Sequence, residues 1–408
     1  VDGHQMNNRD PWVYKTADYG KSWKLIVTGI PKSPLSYAHT LREDPVRRGL
    51  LYLGTENALY VSFDDGDNWQ PLQSNLPHAP VYGIAIQENF SDLVVATYGR
   101  GFWILDGISL LRELGPALAA KDAHFFAPRV AYRLRNVEPP FAVNYDASAG
   151  RNPENGVPMH YMLKAETKDS ASFTIQDAAG KTVRTLKGAP GKVGINRVWW
   201  DLRYDATKET KLRTPPQYAA DFSVAADGRT APDGVRLAIL APPGSYTVKL
   251  TAVGGELSQR LEIRKDPNSG GSEEEIGVQT SLLHSIRTDL ESVAEMVNSI
   301  ESVRSQLIGL KSLLAADSAK SGLKTEADSL EKKFQGVEQN LVQLQLTGRG
   351  QDDVRYPMKL MGRLGWLAQG VSVADFAPTT QQVEVQQLLH SQVQDARARL
   401  DALLQREF

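Results

Sequence analysis

One eight-residue pattern occurs twice near the beginning of the chain, as TADYGKSW at residues 16–23 and as SFDDGDNW at residues 62–69. The copies lie 46 residues apart, a spacing typical of the four-stranded blades of a β-propeller. In each copy we expect the Asp to accept hydrogen bonds from the backbone of a turn, the Gly to adopt a positive φ, and the Trp to pack between sheets. The residues with these structural roles are Thr16, Asp18, Gly20 and Trp23, and Ser62, Asp64, Gly66 and Trp69.

Short strand-like runs surround the two copies. Aromatic and β-branched residues form runs at 12–14, 49–53, 58–61 and 93–97, and turn residues separate them. We therefore predict that residues 1–115 form propeller blades. A closed propeller needs at least four blades, and this region supplies about two. Since the chain begins with Val rather than Met, we expect a processed product or a fragment, whose remaining blades come from an N-terminal part of the same protein or from a separate chain.

Three further phrases sharpen this interpretation, namely YLGTE at 52–56, VSFDDG at 61–66 and ATYGRGFWILD at 96–106. With the repeated pattern, they resemble the last blades of bacterial sortilin-like Asp-box (BNR-repeat) β-propeller proteins, a group often labelled glycosyl hydrolase. The resemblance implies an exported protein, secreted or periplasmic, in which a β-sandwich and a helical tail follow the propeller. The sequence departs from the family at Tyr98, where His is frequent, and at Gly107, where a second Asp is common.

The middle of the chain, residues 121–268, has the pattern of a second β unit. The runs at 173–177 and 182–186 flank a short Gly-containing turn and predict a hairpin. Roughly seven strands over this length suit an Ig-like or fibronectin-like β-sandwich. We expect Trp199 or Trp200 to anchor its core, and residues 205–234 to form a long excursion.

Residues 272–408 have helical periodicity. Ser272 precedes three Glu residues, which is typical of an N-cap and an acidic first turn. Apolar residues recur at steps of three and four over 283–314, 323–344 and 385–403, and a short helix is expected over 358–367. This part is predicted to be an antiparallel α-helical bundle, through which the protein could form a homo-oligomer.

Composition limits the chemistry of the chain. The absence of Cys excludes disulfides, thiolate catalysis and zinc–thiolate sites, and the seven His residues have no metal-ligand spacing, so we expect neither a metal nor a cofactor. A net charge of −2 argues against nucleic-acid binding. No run approaches the roughly 18 apolar residues of a membrane span.

Two sets of residues are candidates for chemistry. Asp18 and Asp64 would need to face one substrate to act as a glycosidase pair, but they occupy equivalent turns of different blades, so we expect structural roles. Arg100, with Tyr98 beside it, is the candidate pore-facing group, and the alternative role for Arg100 is to brace the last blade. We therefore assign no catalytic residue in this chain.

The sequence is compatible with two functions. The first is a non-catalytic binding or scaffold module, with a glycan or a peptide as ligand. The alternative is a glycoside hydrolase of the sialidase or xyloglucanase type, as the family label implies, with an active site mainly on blades outside this chain.

Overall fold

The computed structural model describes residues 2–135, 150, 153–219, 221–253, 255–316 and 320–407. The described chain has a mixed architecture of antiparallel β-sheets and α-helices, as the sequence predicts in outline. It divides into two compact units. The first consists of Val1–Leu202 and Pro243–Arg264, and the second of Arg203–Pro242 and Lys265–Phe408.

In the first unit, three antiparallel sheets follow one another along the chain. The first sheet has two strands, β1 (Tyr14–Lys15) and β2 (Lys24–Leu25). The second has four strands, in the order β3 (Ala38–Glu43), β4 (Leu51–Thr55), β5 (Leu59–Ser62) and β6 (Gln70–Pro71). The third has three strands, β7 (Val81–Gln87), β8 (Asp92–Thr97) and β9 (Phe102–Leu105). Short 3-10 helices at His4–Met6 and Ile108–Arg112 and the helix α1 (Pro116–Ala119) flank these sheets.

The four-stranded sheet is covered on both faces, because successive side chains of a strand point to opposite sides. On one face, Leu53 packs in an apolar cluster with Ile26 and Trp69. On the other face, Tyr52 packs in a second cluster with Val81. Every residue of β4 and β5 is buried as a result, and this double coverage holds the three sheets in a stack.

Two more sheets lie in the described part of the first unit. One has the order β10 (Ala123–Phe125), β12 (Val157–Leu163) and β15 (Gly194–Trp200). The other has the order β11 (Ala131–Arg133), β19 (Gly255–Lys265), β18 (Gly244–Ala252), β13 (Ser170–Gln176) and β14 (Thr182–Pro190). The pairing of β13 with β14 confirms the predicted hairpin. Trp200, rather than Trp199, is the fully buried tryptophan of the core, where it makes an edge contact with Tyr246.

The described residues of the second unit form four helices of 13 or more residues and a small two-stranded sheet. The helices are α2 (Glu273–Leu313), α3 (Ser321–Glu338), α4 (Leu360–Ser372) and α5 (Thr380–Glu407), with 3-10 turns at Leu314–Ala316 and Asp352–Val354. The strands are β16 (Lys211–Leu212) and β17 (Arg229–Thr230). Ser272 and Glu275 cap each other's backbone in a complete capping box, so the predicted helix start is confirmed. No helix within the described part of the chain is both long enough and apolar enough to cross a membrane.

Helix α2 departs from its apolar pattern after Ile300. The sequence predicts that Val303, Leu307 and Leu310 continue the buried stripe, but this prediction is wrong: Val303 and Leu307 are only partly buried, and Leu310 is exposed. Glu301 and Arg304 are buried in their place. They are buried because each meets hydrogen-bonding partners from α3 or from residues 213–214.

Candidate functional site

A β-bulge interrupts the first strand of both larger sheets near the beginning of the chain. In β3 the register shifts between Ala38 and Thr40, and in β7 it shifts between Val81 and Gly83. His39 and Tyr82 are therefore the extra residues of the two bulges. Their rings stack with centroids 4.1 Å apart and planes inclined by 20°. Because bulges re-aim side chains and are frequent beside functional sites, this pair defines the candidate site.

The imidazole of His39 lies between two carboxylates. Its Nε2 is 2.8 Å from Oε2 of Glu56, and its Nδ1 is 3.8 Å from Oδ2 of Asp2. Only 5% of the His39 side chain is exposed. Asp2 also contacts His4, with 2.7 Å between Oδ1 and the Nδ1 of that imidazole. The two carboxylates therefore bracket His39 and fix the plane of its ring.

Tyr37 closes the buried side of the cluster. Its ring stacks on His4 at 5.0 Å and meets His39 edge-on at 5.1 Å. Burial, the hydrogen bond to Glu56 and the negative charge of Glu56 together raise the pKa of Tyr37 to about 12. A nucleophilic or basic tyrosine requires the opposite change, so Tyr37 acts here as a neutral phenol that donates to Glu56.

The other side of the cluster is open to solvent. Tyr82 is 55% exposed and Tyr98 is 75% exposed, and their ring centroids are 6.0 Å apart. The structure thus brings the predicted Tyr98 next to the cluster. Arg100 is exposed, and its guanidinium donates to the carbonyl of the adjacent Gly99 at 3.4 Å. Among the described residues, Arg100 makes no contact with His39 or Glu56.

Tyr82 and Tyr98 present flat aromatic faces on the open surface, and the partly buried carboxylates of Asp2 and Glu56 lie behind them around the buried His39. Aromatic rings with polar tips supply contact area at a low cost in conformational entropy. No group of three or more His, Asp or Glu side chains suited to a metal ion exists within the described ranges. The arrangement therefore suits recognition by stacking, hydrogen bonds and charge.

The two repeated turns use their carboxylates internally. In the first copy, Oδ1 of Asp18 accepts hydrogen bonds from the Thr16 hydroxyl at 2.9 Å and from the Ser22 N–H at 2.8 Å. The Gly20 N–H donates to the Thr16 hydroxyl at 2.8 Å, and Gly20 has a φ of 87°. Hydrogen bonds from Ser22 and Thr16 lower the pKa of Asp18 to about 2.

The second copy repeats this network. Oδ1 of Asp64 accepts from the Ser62 hydroxyl at 2.8 Å and from the Asn68 N–H at 2.9 Å. The Gly66 N–H donates to the Ser62 hydroxyl at 2.9 Å, and Gly66 has a φ of 88°. Burial opposes ionisation of Asp64, but hydrogen bonds from Asn68 and Ser62 outweigh it and lower the pKa. Both carboxylates are therefore occupied within their own turns.

The two tryptophans of the pattern differ. Trp69 is 3% exposed, packs beside Ile26, and donates its indole N–H to the Ile26 carbonyl at 2.9 Å. Trp23 is 60% exposed and donates to Gly20 within its own turn at 3.2 Å. The expected packing between sheets thus occurs at Trp69, and for Trp23 the expectation is wrong. Residues near Ile26 cover the Trp69 side chain, whereas no apolar segment of the described chain covers Trp23.

The sequence interpretation missed six residues of the site, namely Asp2, His4, Tyr37, His39, Glu56 and Tyr82. One signal was available. His39 and Tyr82 lie 43 residues apart, close to the repeat spacing, and so occupy corresponding places in successive sheets.

The sequence matches no protein-family model, and no curated protein is detectably similar to it. The function proposed below is therefore supported by the geometry around His39 and Tyr82 and by the resemblance of the repeated turns to Asp-box repeats.

Proposed function

We propose that this chain belongs to an exported, sortilin-like Asp-box β-propeller protein and acts as a non-catalytic binding or scaffold module. Two features support the propeller assignment: three successive antiparallel sheets, and the same turn network at Asp18 and Asp64. The binding role depends on one observation above all. His39 and Tyr82, at corresponding bulges, form a surface that is held by carboxylates on one side and open on the other.

The remaining assignments extend this proposal. The sheets between Ala123 and Lys265 support an Ig-like or fibronectin-like β-sandwich, since they are antiparallel and bury Trp200 and Phe173. Mutual contacts among helices α2–α5 support an antiparallel bundle. A homo-oligomer through these helices is part of the proposal. Light scattering of the complete protein tests it, and a strict monomer would count against it.

The ligand class follows from the charges of the site. Asp2 and Glu56 place two carboxylates within 3.8 Å of the His39 ring, and the exposed rings of Tyr82 and Tyr98 lie on the same surface. A Lys or Arg side chain gains from both features, through ion pairing and through cation–π contact. We infer that the ligand is a peptide segment with at least one basic residue.

Binding of an array of basic and sequence-matched neutral peptides tests this inference. We expect basic peptides to bind the complete protein, and Tyr82→Ala and Tyr98→Ala each to weaken binding at least tenfold. Tyr218→Ala is the matched control, because Tyr218 lies in the second unit and is 88% exposed. Equal binding by wild type and Tyr82→Ala would contradict the proposed surface.

The proposed partner at the sheet edge is the rest of the propeller. Among the residues that the structure describes, the third sheet has three strands where the second has four, and its edge strand β9 exposes Phe102, Ile104 and Leu105. An exposed apolar edge favours pairing with a further strand. We expect amide exchange of residues 102–105 to be slower in the complete protein than in the isolated chain. Identical exchange rates would argue against added strands at β9.

The alternative function, a glycoside hydrolase with its active site mainly on other blades, makes a different prediction. A hydrolysis screen of the complete protein against neutral and sialylated glycans would then detect turnover. The binding proposal expects no turnover with any of these substrates.

A further inference from the structure

A cavity of about 280 Å³ in the first unit lies apart from the surface formed by His39 and Tyr82. Phe90, Tyr132 and Trp199 contribute aromatic walls, and the charged groups are those of Asp92, Asp106, Glu154 and Arg129. Binding sites for small molecules combine apolar walls with a few convergent polar groups in this way. The volume is near the lower limit of such sites and suits a small ligand.

The two aspartates face each other across neighbouring strands. Leu93 pairs with Leu105 in the antiparallel ladder of β8 and β9, so Asp92 and Asp106 are the next opposed positions. Opposed like charges are unfavourable in a sheet. Asp92 is partly compensated, because its Oδ1 accepts from the Gly107 N–H at 2.9 Å. Asp106 accepts no hydrogen bond from any residue that the structure describes, so its carboxylate is available to a ligand.

Arg129 is held at the cavity by contacts other than an ion pair, although its charge acts on Asp92 and Asp106 at longer range. Its guanidinium lies over the ring of Phe90 at 5.1 Å and donates to the Val130 and Gly156 carbonyls at 3.3 and 3.4 Å. It forms no ion pair within 4 Å with a carboxylate of the described ranges. Since a guanidinium has five N–H donors, several remain for a ligand.

The aromatic walls are fixed in orientation. The ring of Tyr132 contacts Phe90 at 5.2 Å, and the Trp199 indole N–H donates to the Asn155 carbonyl at 2.7 Å. The only donor of Trp199 is already used, and the Arg197 guanidinium lies 5.9 Å from its ring centroid, so Trp199 offers the ligand the apolar face that Arg197 leaves uncovered. The cavity therefore combines rigid flat surfaces with a free acceptor at Asp106 and free donors on Arg129.

This combination selects the charge of the ligand. Three carboxylates, those of Asp92, Asp106 and Glu154, disfavour an anion, and Arg129 disfavours a cation, whereas a hydroxyl group can donate to Asp106 and accept from Arg129 at once. A sugar ring adds apolar C–H faces that match aromatic walls. We propose that this cavity binds one neutral sugar residue, with Asp106 and Arg129 on its hydroxyls and the aromatic rings on its face.

Fluorine NMR of the complete protein labelled with 5-fluorotryptophan tests the proposal. Trp199→Phe identifies the Trp199 resonance. We expect a saturable shift of that resonance with at least one of glucose, galactose, mannose, xylose, N-acetylglucosamine, cellobiose and maltose. Putrescine and inorganic phosphate are the charged probes and should cause no saturable shift.

Two variants locate the binding. Asp106→Ala should weaken sugar affinity at least tenfold, whereas Asp122→Ala, at a highly exposed carboxylate of the same unit, should leave it unchanged. The proposal is overturned if none of the seven sugars shifts the resonance, if only a charged probe does, or if Asp106→Ala binds as wild type does. Peptide binding at Tyr82 is measured separately, so either proposal can fail alone.

Discussion

His39 and Tyr82 are related by position as well as by contact: each is the bulged residue of the first strand of its sheet, and their rings stack at 4.1 Å. The contact depends on both bulges, because each bulge turns one side chain out of the regular alternation of its strand. Glu56, in the turn after β4, contacts the His39 ring. Tyr37, in the segment before β3, donates a hydrogen bond to Glu56. The cluster is thus assembled from separate segments of chain around two equivalent irregularities.

The first prediction concerns the charge of Glu56. Because burial and Glu56 together raise the pKa of Tyr37 to about 12, Glu56→Gln should lower it toward the ordinary value of about 10. Burial still acts in the variant, so the pKa should remain above the ordinary value. A pH titration followed by NMR of ¹³C-labelled tyrosine rings measures the change.

The pKa of Tyr60 is an internal control in that titration. Burial alone raises it, and Glu56 is not among its causes, so it should be the same in both proteins. If Tyr37 titrates identically in wild type and Glu56→Gln, the hydrogen bond between them does not govern the site.

The second prediction compares the two pattern tryptophans. Trp69→Ala removes a buried side chain and its hydrogen bond to Ile26, and should cost about 3–5 kcal/mol of unfolding free energy. Trp23→Ala removes a mostly exposed side chain and should cost less than about 1 kcal/mol. Urea unfolding of both variants measures the difference. Similar costs would contradict the unequal burial of the two turns.

Local sequence signals predicted those parts of the fold that depend on neighbouring residues. The turn networks at Asp18 and Asp64, the hairpin of β13 and β14, and the helix start at Ser272 each need only a few adjacent side chains. The spacing of the repeat also predicted that several sheets follow one another along the chain. These features could be predicted because their hydrogen bonds close within a few residues.

The candidate site could not be predicted in the same way, because His39, Glu56 and Tyr82 meet only after the sheets have formed. A bulge has no simple sequence signature, so the direction of the His39 side chain cannot be predicted from the sequence of β3. The error in α2 has a related cause. The apolar pattern predicts that Val303 rather than Arg304 is buried. Arg304 is buried instead, because carboxylates of another helix accept its hydrogen bonds.

The third prediction concerns acid sensitivity of the first unit. Burial and the opposed Arg197 lower the pKa of His160 to about 4, from an ordinary value near 6.5. Between these values the unfolded chain binds a proton that the folded chain does not, so stability falls as the pH falls from about 6.5 to 4. His160 should contribute about 1–3 kcal/mol to this loss, with allowance for its partial exposure.

His160→Gln removes the titrating group, so denaturant unfolding between pH 7 and 4 should show a smaller loss of stability than in wild type. His78→Gln is the control, since His78 is exposed. Identical pH profiles for wild type and His160→Gln would contradict the assignment.

The fourth prediction concerns the buried charges of the second unit. Arg304 contacts Glu301, Glu331 and Glu338, and all four are buried, so one cation faces three carboxyl groups. Burial and the charge of Glu301 raise the pKa of Glu338 well above its ordinary value, although Arg304 opposes them. Lys311 adds a second cation, 3.7 Å from Glu331. Arg304→Met should therefore cost about 3–5 kcal/mol, because it leaves three acidic groups without their buried cation.

The raised pKa of Glu338 also determines the direction in which folding stability changes with pH. A carboxyl group that holds its proton more tightly in the folded state stabilises that state below the unfolded pKa, and the contribution is lost as the pH rises through the folded pKa. Glu338→Gln keeps the shape of the protonated acid and cannot ionise, so it should lose less stability than wild type between pH 5 and 9. Glu326→Gln, at an exposed position on the same helix, should follow the wild-type profile. A Glu338→Gln profile as steep as wild type would show that Glu338 is ionised in the fold, and Arg304 would then face three ionised carboxylates.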